Sequence, residues 1–223
     1  MKSKRILVIA PHPDDETLGA GGTIAKFSNN GNEVHVLMIS GHLPPLYKRE
    51  DYERSAAEAR KAFDILGVSD STFLEIPSTM IGNIPHHELN NKIAKVIQNL
   101  KPHIVLCPFP DRHIDHKIVF ESSMVATRPV GVGKKIEMIA AYETLSETHW
   151  NAPHIEPNFT PNWVIDVSDY FPLKLRALKC YESQISDFPG PRSIEAVEAL
   201  AKFRGTQSGF SFGEGMHIIR KTS

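Results

Sequence analysis

Two short stretches of the chain carry side chains whose types and spacing could do hydrolytic chemistry. In Pro11-His12-Pro13-Asp14-Asp15-Glu16 an imidazole and three successive carboxylates follow directly on the apolar run Ile6 to Ala10. In His113-Ile114-Asp115-His116 two imidazoles and a carboxylate come shortly after the apolar run His103 to Phe109. Imidazole nitrogen and carboxylate oxygen are both zinc ligands, and a catalytic zinc site typically takes three protein ligands and keeps a position open for water. Two histidines and one aspartate would make such a site, leaving the remaining aspartates and histidine as base, orienting group and oxyanion partner. Either stretch alone also reads as a polar or acidic first turn capping a helix. Three neighbouring carboxylates repel one another in a partly desolvated place unless a helix N-terminus or a cation offsets their charge. The pairing of the two stretches therefore favours the metal.

Both stretches sit where an apolar run stops. Ile6 to Ala10 predicts a short strand buried on both faces, whose ladder Pro11 and Pro13 cannot extend. Small residues from Thr17 to Gly22 lead into a helix through Phe27, and Val34 to Ser40 is a second strand ending at Gly41-His42. Tyr47 to Leu66 predicts a helix with Ala56, Ala59, Ala62, Phe63 and Leu66 inward and Gly67 as C-cap. Further along, strands are expected at Ser71 to Ile76, His103 to Phe109, Ile136 to Glu143 and Trp163 to Val167, and an edge strand at Met216 to Ile219. Helices are expected from Pro85 to Leu100, Lys117 to Ala126, Asp169 to Ile185 and Ser193 to Phe203. Strands alternating with helices make an α/β chain, and ligands of open α/β sheets bind at the carboxyl ends of the strands. Thr144 to Asn162 is a long polar stretch, a lid or a surface excursion, in which Trp150 beside His149 could stack on a ligand ring or equally be a partly exposed interface residue.

The 223 residues suffice for a sizeable core and no linker interrupts them, so residues 1–223 read as a single domain. Lys plus Arg number 25 against 26 for Asp plus Glu, a balance that points to neither nucleic acid nor an acidic membrane as partner. The first apolar run is too short for a signal-peptide core or a membrane span, and the expected location is cytoplasmic. Cys107 and Cys180 have no CxxC spacing and no histidine beside them and read as core thiols. His42, at a strand end, could face the crevice. His86 and His87 are adjacent on a helix, point about 100° apart and read as helix-start polar residues. Gly19, Gly21 and Gly22 do not spell GxGxxG, and the acidic cluster before them would repel phosphate, so tight helix packing accounts for them better.

PHPDDE after one hydrophobic strand and HxDH after a later one resemble the PIG-L/LmbE-like de-N-acetylases, zinc enzymes that remove the acetyl group from N-acetylglucosamine-type amines. The likeness continues in Glu58 to Gly67, similar to the family's Glu-rich helix ending in Leu-Gly, in Tyr181-Glu-Ser-Gln184, and in the tail from Arg204-Gly205 through Gly209 to Gly213-Glu214. The resemblance implies a Rossmann-like three-layer sandwich with a mainly parallel central sheet. It implies His12, Asp15 and His116 as ligands of zinc or another divalent metal. Asp14 would be the general base, and His113, held by Asp115, would stabilise the oxyanion. The substrate would be a small-molecule N-acetylated sugar conjugate, and homo-oligomer formation is left open. Glu16 would take a supporting or helix-terminus role. The family usually has an arginine three residues before the helix glutamate, where this chain has Ser55 with Arg54 beside it, and Asp111 holds a place that varies among relatives. Two other readings stand beside this one: a metal-dependent amidase or esterase on a non-sugar substrate, and a non-catalytic α/β small-molecule-binding module.

Overall fold

The computed structural model describes residues 3–152 and 154–222; Pro153 of the 144–162 stretch and the outermost residues of the expected 1–223 domain lie outside the described residues. The apolar runs become β1 (Arg5–Ala10), β2 (Glu33–Gly41), β3 (Asp70–Pro77), β4 (Ile104–Pro108) and β5 (Met138–Tyr142), paired in parallel in the order β3-β2-β1-β4-β5. Two further strands, β6 (Trp163–Asp166) and β7 (Gly213–Lys221), extend the sheet beyond β5, with β7 antiparallel to both of its neighbours. The helices are α1 (Asp15–Asn29), α2 (Arg49–Leu66), α3 (His86–Leu100), α4 (Ile114–Ala126), α5 (Phe171–Leu178) and α6 (Ile194–Thr206). None of these helices is long and apolar enough to cross a membrane.

Successive side chains of a strand point to opposite faces. Ile6, Val8 and Ala10 of β1 pack with Ala20 and Ile24 of α1, Ala59 and Phe63 of α2 and Ala177 of α5. Leu7 and Ile9 pack instead with Leu89, Ile93 and Ile97 of α3 and Val119 of α4. Helices on both faces leave no polar face to β1, which is why Ile6 to Ala10 is continuously apolar, and they make the three layers. Close packing explains the glycines of α1. A Cβ at Gly19 would stand 2.2 Å from Tyr142 Cδ2, and one at Gly22 would stand 2.8 Å from Val167 Cβ.

Several expectations from the sequence are corrected. β7 is not an edge strand; it lies between β5 and β6, and the edges are β3 and β6. Its first half, Gly213 to Met216, is buried, and its alternate glycines carried no apolar signal. The helix expected to run to Ile185 stops at Leu178. There the chain turns so that Tyr181 is fully buried with its hydroxyl on Glu16, and Ser183 donates through Nα and Oγ to the two oxygens of Glu58. α4 begins at Ile114 rather than Lys117, which puts Asp115 and His116 in its first turn. Cys107 is buried, and burial pushes its thiol up to about 12, whereas Cys180 is only half-buried.

Candidate metal centre

β1 and β4 are neighbours at the centre of the sheet, with Ile6 beside Ile104 and Val8 beside Leu106. From β1 the chain passes through α1 to β2 on one side, and from β4 through α4 to β5 on the other. The crossovers diverge at this switch point, and the carboxyl ends of the two strands border a crevice. His12 and Asp115, 103 positions apart in sequence, meet there with Nε2 and Oδ2 at 2.9 Å.

Asp14 precedes α1 with φ 113° and ψ −29°, a left-handed conformation uncommon for a side-chain-bearing residue. The amides of Thr17 and Leu18 donate to its carbonyl, and its own amide donates to Glu16 Oε2 at 3.3 Å. Glu16 is fully buried and accepts from the hydroxyls of Thr17 and Tyr181 through Oε1. Glu16 thus holds the turn that presents Asp14, a backbone conformation that persists only where surroundings over-determine it.

Two imidazoles share one carboxylate oxygen. His12 Nδ1 and His116 Nε2 lie 3.1 Å and 3.3 Å from Asp15 Oδ2. On its far side each ring meets a second carboxylate: His12 Nε2 meets Asp115, and His116 Nδ1 meets Asp111 Oδ2 at 3.0 Å. Asp115 Oδ2 also accepts from the Thr79 amide, and Asp111 accepts from the His113 amide and the Thr148 hydroxyl. Asp115 therefore serves His12 with its carboxylate. Its hydrogen bond to His113 comes from its backbone, whose amide donates to His113 Nδ1 at 3.1 Å as the cap of α4. Carboxylates on the far nitrogens of a pair of histidines are the usual support of metal-ligating imidazoles.

Ring nitrogens of His12, His113 and His116 also come within 4.8 Å of one another. Asp14 Oδ2, Asp15 Oδ1, Asp115 Oδ1 and His116 Nε2 are buried with no hydrogen-bond partner among the described residues. An unpartnered buried polar atom costs about 1–3 kcal/mol, more when charged. Imidazoles and carboxylates with unused lone pairs, gathered in one buried place, have the chemistry of a divalent-metal site. A cavity of about 120 Å³ lies over them, walled by His12, Asp14, His113 and His116 together with His42, Tyr47, Ser55, Glu147, Gln184 and Arg192.

The family profile described as PIG-L: GlcNAc-PI de-N-acetylase matches residues 7–127, more than half of the chain, and takes in both residue clusters. The chain belongs to the PIG-L family. It is 29% identical to the diacetylchitobiose deacetylase of Thermococcus kodakarensis over 97% of this chain and 83% of that one. It is 32% identical to the uncharacterized deacetylase YaiS of Escherichia coli over 82% of this chain and 92% of that one. A conserved protein of Thermus thermophilus superposes with a TM-score of 0.80 at 26% identity, over 99% of this chain and 96% of that one.

In this PIG-L chain the electrostatics follow from burial and from the shared carboxylates. Burial opposes charge on His12, but hydrogen bonds to Asp115 and Asp15 outweigh it and raise the ring to about 9. His116 is likewise raised, to about 10, by Asp15 and Asp111 against the effect of burial. Asp15, despite burial, is held well below the ordinary carboxylate range by His116 and His12. Asp14 differs from its neighbour. Burial pushes it up to about 8, with Arg192 opposing and Asp15 and Glu16 adding to the rise. His113 is lowered by burial and by the two nearby imidazoles. Its Nδ1 accepts from an amide, so in the neutral ring the proton sits on Nε2.

The six residues expected from the sequence all lie in this cluster, four on the cavity wall, with Asp15 and Asp115 behind them. His42 lines the cavity, whereas His86 and His87 are exposed on α3. Arg54 is exposed, pairs with Asp51 at 3.1 Å, and does not line the cavity, though Ser55 beside it does. Trp150 is exposed and outside the wall, with Arg112 6.0 Å from its ring. Sequence reasoning missed Arg192, Glu147 and the orienting place of Asp111. A Pro-Gly turn ahead of a helix is the only local mark on Arg192, and it says nothing of where the side chain goes.

Proposed function

We propose that this protein is a zinc-dependent, or other divalent-metal-dependent, N-deacetylase acting on an N-acetylglucosamine-type sugar or sugar conjugate, with its whole chain forming one catalytic domain. The observation that carries the reading is the sharing of Asp15 Oδ2 by His12 and His116, each backed by its own carboxylate. Sugar deacetylases among the relatives support the substrate class.

His12, Asp15 and His116 would hold the metal. His113 is less suited, because its Nδ1 lone pair is engaged by an amide and its other nitrogen carries the proton. When bound, a divalent metal lowers the pKa of water toward ~7 and polarises the acetamide carbonyl. Asp14, on the cavity wall with an Oδ2 that accepts no hydrogen bond among the described residues and has only the Arg192 guanidinium beside it at 3.4 Å, takes the proton of the attacking water. His113 donates from Nε2 to the oxygen on which negative charge develops. Protonated Asp14 then delivers its proton to the departing amine. Glu16, Asp111 and Asp115 do not act on substrate; they hold Asp14, His116 and His12.

Release of acetate from a panel of free, nucleotide-linked and lipid- or thiol-linked N-acetylglucosamine conjugates tests the reading. At least one should be turned over, and Asp14→Ala should keep its metal while losing about 10²–10⁴-fold in turnover, whereas His116→Ala should lose the metal. Wild-type turnover in Asp14→Ala would remove the base assignment, and a protein that binds no divalent ion after reconstitution would favour the binding module.

A further inference from the structure

One cation of the cavity wall stands against the proposed base and has been given no contact with substrate. Arg192 precedes Ser193, the N-cap of α6, and lines the cavity beside Asp14. Its Nη1 stands 3.4 Å from Asp14 Oδ2, the one ion pair it makes among the described residues. Its Nε is buried with no hydrogen-bond partner among them. Arg204 shows how this fold treats a structural arginine: Nε and Nη2 each donate to an oxygen of Glu143 at 2.7 Å. A guanidinium carries five N–H donors in a planar fork. Arg192 thus places a partly exposed guanidinium on the wall of the substrate cavity, with its contact to Asp14 as its one ion pair among the described residues.

The surroundings decide what kind of acceptor fits. Asp14 and Glu147 line the same cavity and Asp15 lies beneath it, so an anionic substituent would meet carboxylates. An uncharged hydroxyl accepts from the guanidinium and donates to a carboxylate, and so satisfies both. Position narrows the choice further. Asp14 has to stand within about 2.6–3.2 Å of the water that attacks the amide carbon, and the guanidinium is one contact beyond Asp14. It is therefore placed for a hydroxyl of the substrate that lies close to the amide.

Resting on the deacetylase reading, we infer that Arg192 is a specificity-determining residue that donates to a substrate hydroxyl close to the acetamido group and selects substrates that carry it. The test pairs Arg192→Met and Arg192→Lys with an accepted N-acetylglucosamine conjugate and its analogue deoxygenated at the hydroxyl-bearing carbon next to the acetamido-bearing one. Wild type should lose about 10–100-fold in kcat/KM on the deoxy analogue, since a site built to bond a hydroxyl is left unpaired by its absence. Arg192→Met should lose about the same factor on the parent and discriminate between the two by less than about threefold, with Arg192→Lys in between. A second readout does not involve turnover. Glucosamine should bind metal-loaded Arg192→Met about tenfold more weakly than wild type by calorimetry, while the deoxy amine binds both alike. Metal affinity should not change between them. Full wild-type discrimination in Arg192→Met, or unchanged glucosamine binding, would overturn the assignment. Should Arg192→Met fail to fold, Arg192→Lys decides by the same comparison. No acetate from any conjugate with wild type would instead refute the deacetylase reading itself.

Discussion

Replacing Asp111 by asparagine removes one charge from behind His116 and tests whether that ring serves a metal. Asp111 faces three donors: His116 Nδ1 at 3.0 Å, the Thr148 hydroxyl at 2.8 Å and the His113 amide at 2.9 Å. A carboxylate offers four lone-pair sites to them, but an amide side chain offers only one carbonyl oxygen and turns an NH₂ toward the others. The Thr148 hydroxyl can rotate and the His113 amide cannot, so the favoured placement keeps the carbonyl oxygen on the amide and sets NH₂ against His116 Nδ1. That ring must then accept at Nδ1 and carry its proton on Nε2, the atom that faces Asp15. A protonated Nε2 cannot ligate. Loss of such supporting carboxylates typically costs 10–100-fold in metal affinity, about 1.4–2.8 kcal/mol, and the tautomer change places Asp111→Asn toward the upper end. Competition against a chromophoric chelator measures the dissociation constant directly, and thermal melting of the metal-free proteins controls for a general loss of structure. Metal affinity within twofold of wild type in a folded variant would refute the assignment of His116 as a ligand oriented by Asp111.

Two further perturbations test the scaffold around the site. Gly19→Ala puts a Cβ 2.2 Å from Tyr142 Cδ2 and 2.6 Å from the Glu143 carbonyl, and the backbone atom cannot swing aside. We expect a loss of about 3 kcal/mol and a fall in Tm of about 6–12 °C for a chain of this size, and an unchanged melting curve would contradict the packing account. Glu143 is pushed up by burial, but hydrogen bonds from Arg204 and His149 outweigh this and hold its carboxyl below the ordinary value. A depressed carboxylate contributes stability that is present above its unfolded pKa of about 4.3 and is lost as pH falls through the folded value. Glu143→Gln should therefore be less stable than wild type near neutrality, and the difference should narrow in urea melts carried down toward pH 3. Parallel acid slopes for the two proteins would exclude Glu143 as a source of that pH dependence.

The amino-acid sequence by itself determined the elements and the two chemical clusters. Ile6 to Ala10 and His103 to Phe109 read as buried strands because burial on both faces demands unbroken apolar side chains, and β4 forms within the second at Ile104–Pro108. His12 to Glu16 and His113 to His116 were legible because each is contiguous and sits just after a parallel strand, where strand-to-helix topology gathers such turns on one edge. The same local logic misread β7. Its buried half is Gly-Glu-Gly-Met, and the glycines answer to Val164 and the Glu143–Arg204 pair rather than to any periodicity.

Tertiary structure alone decided which carboxylate serves which imidazole. Asp115 is two residues from His113 yet spends its carboxylate on His12, because in the first turn of α4 its amide faces His113 while its side chain crosses to β1's end. Asp111 became the orienting partner of His116, Tyr181 the partner of Glu16, and Arg192 the neighbour of Asp14. Hydrogen bonds and ion pairs form or fail within an ångström or so, and these groups arrive from elements far apart in the chain. Residue order along each element states which face a side chain occupies, and only the packing of elements against one another states what that face meets.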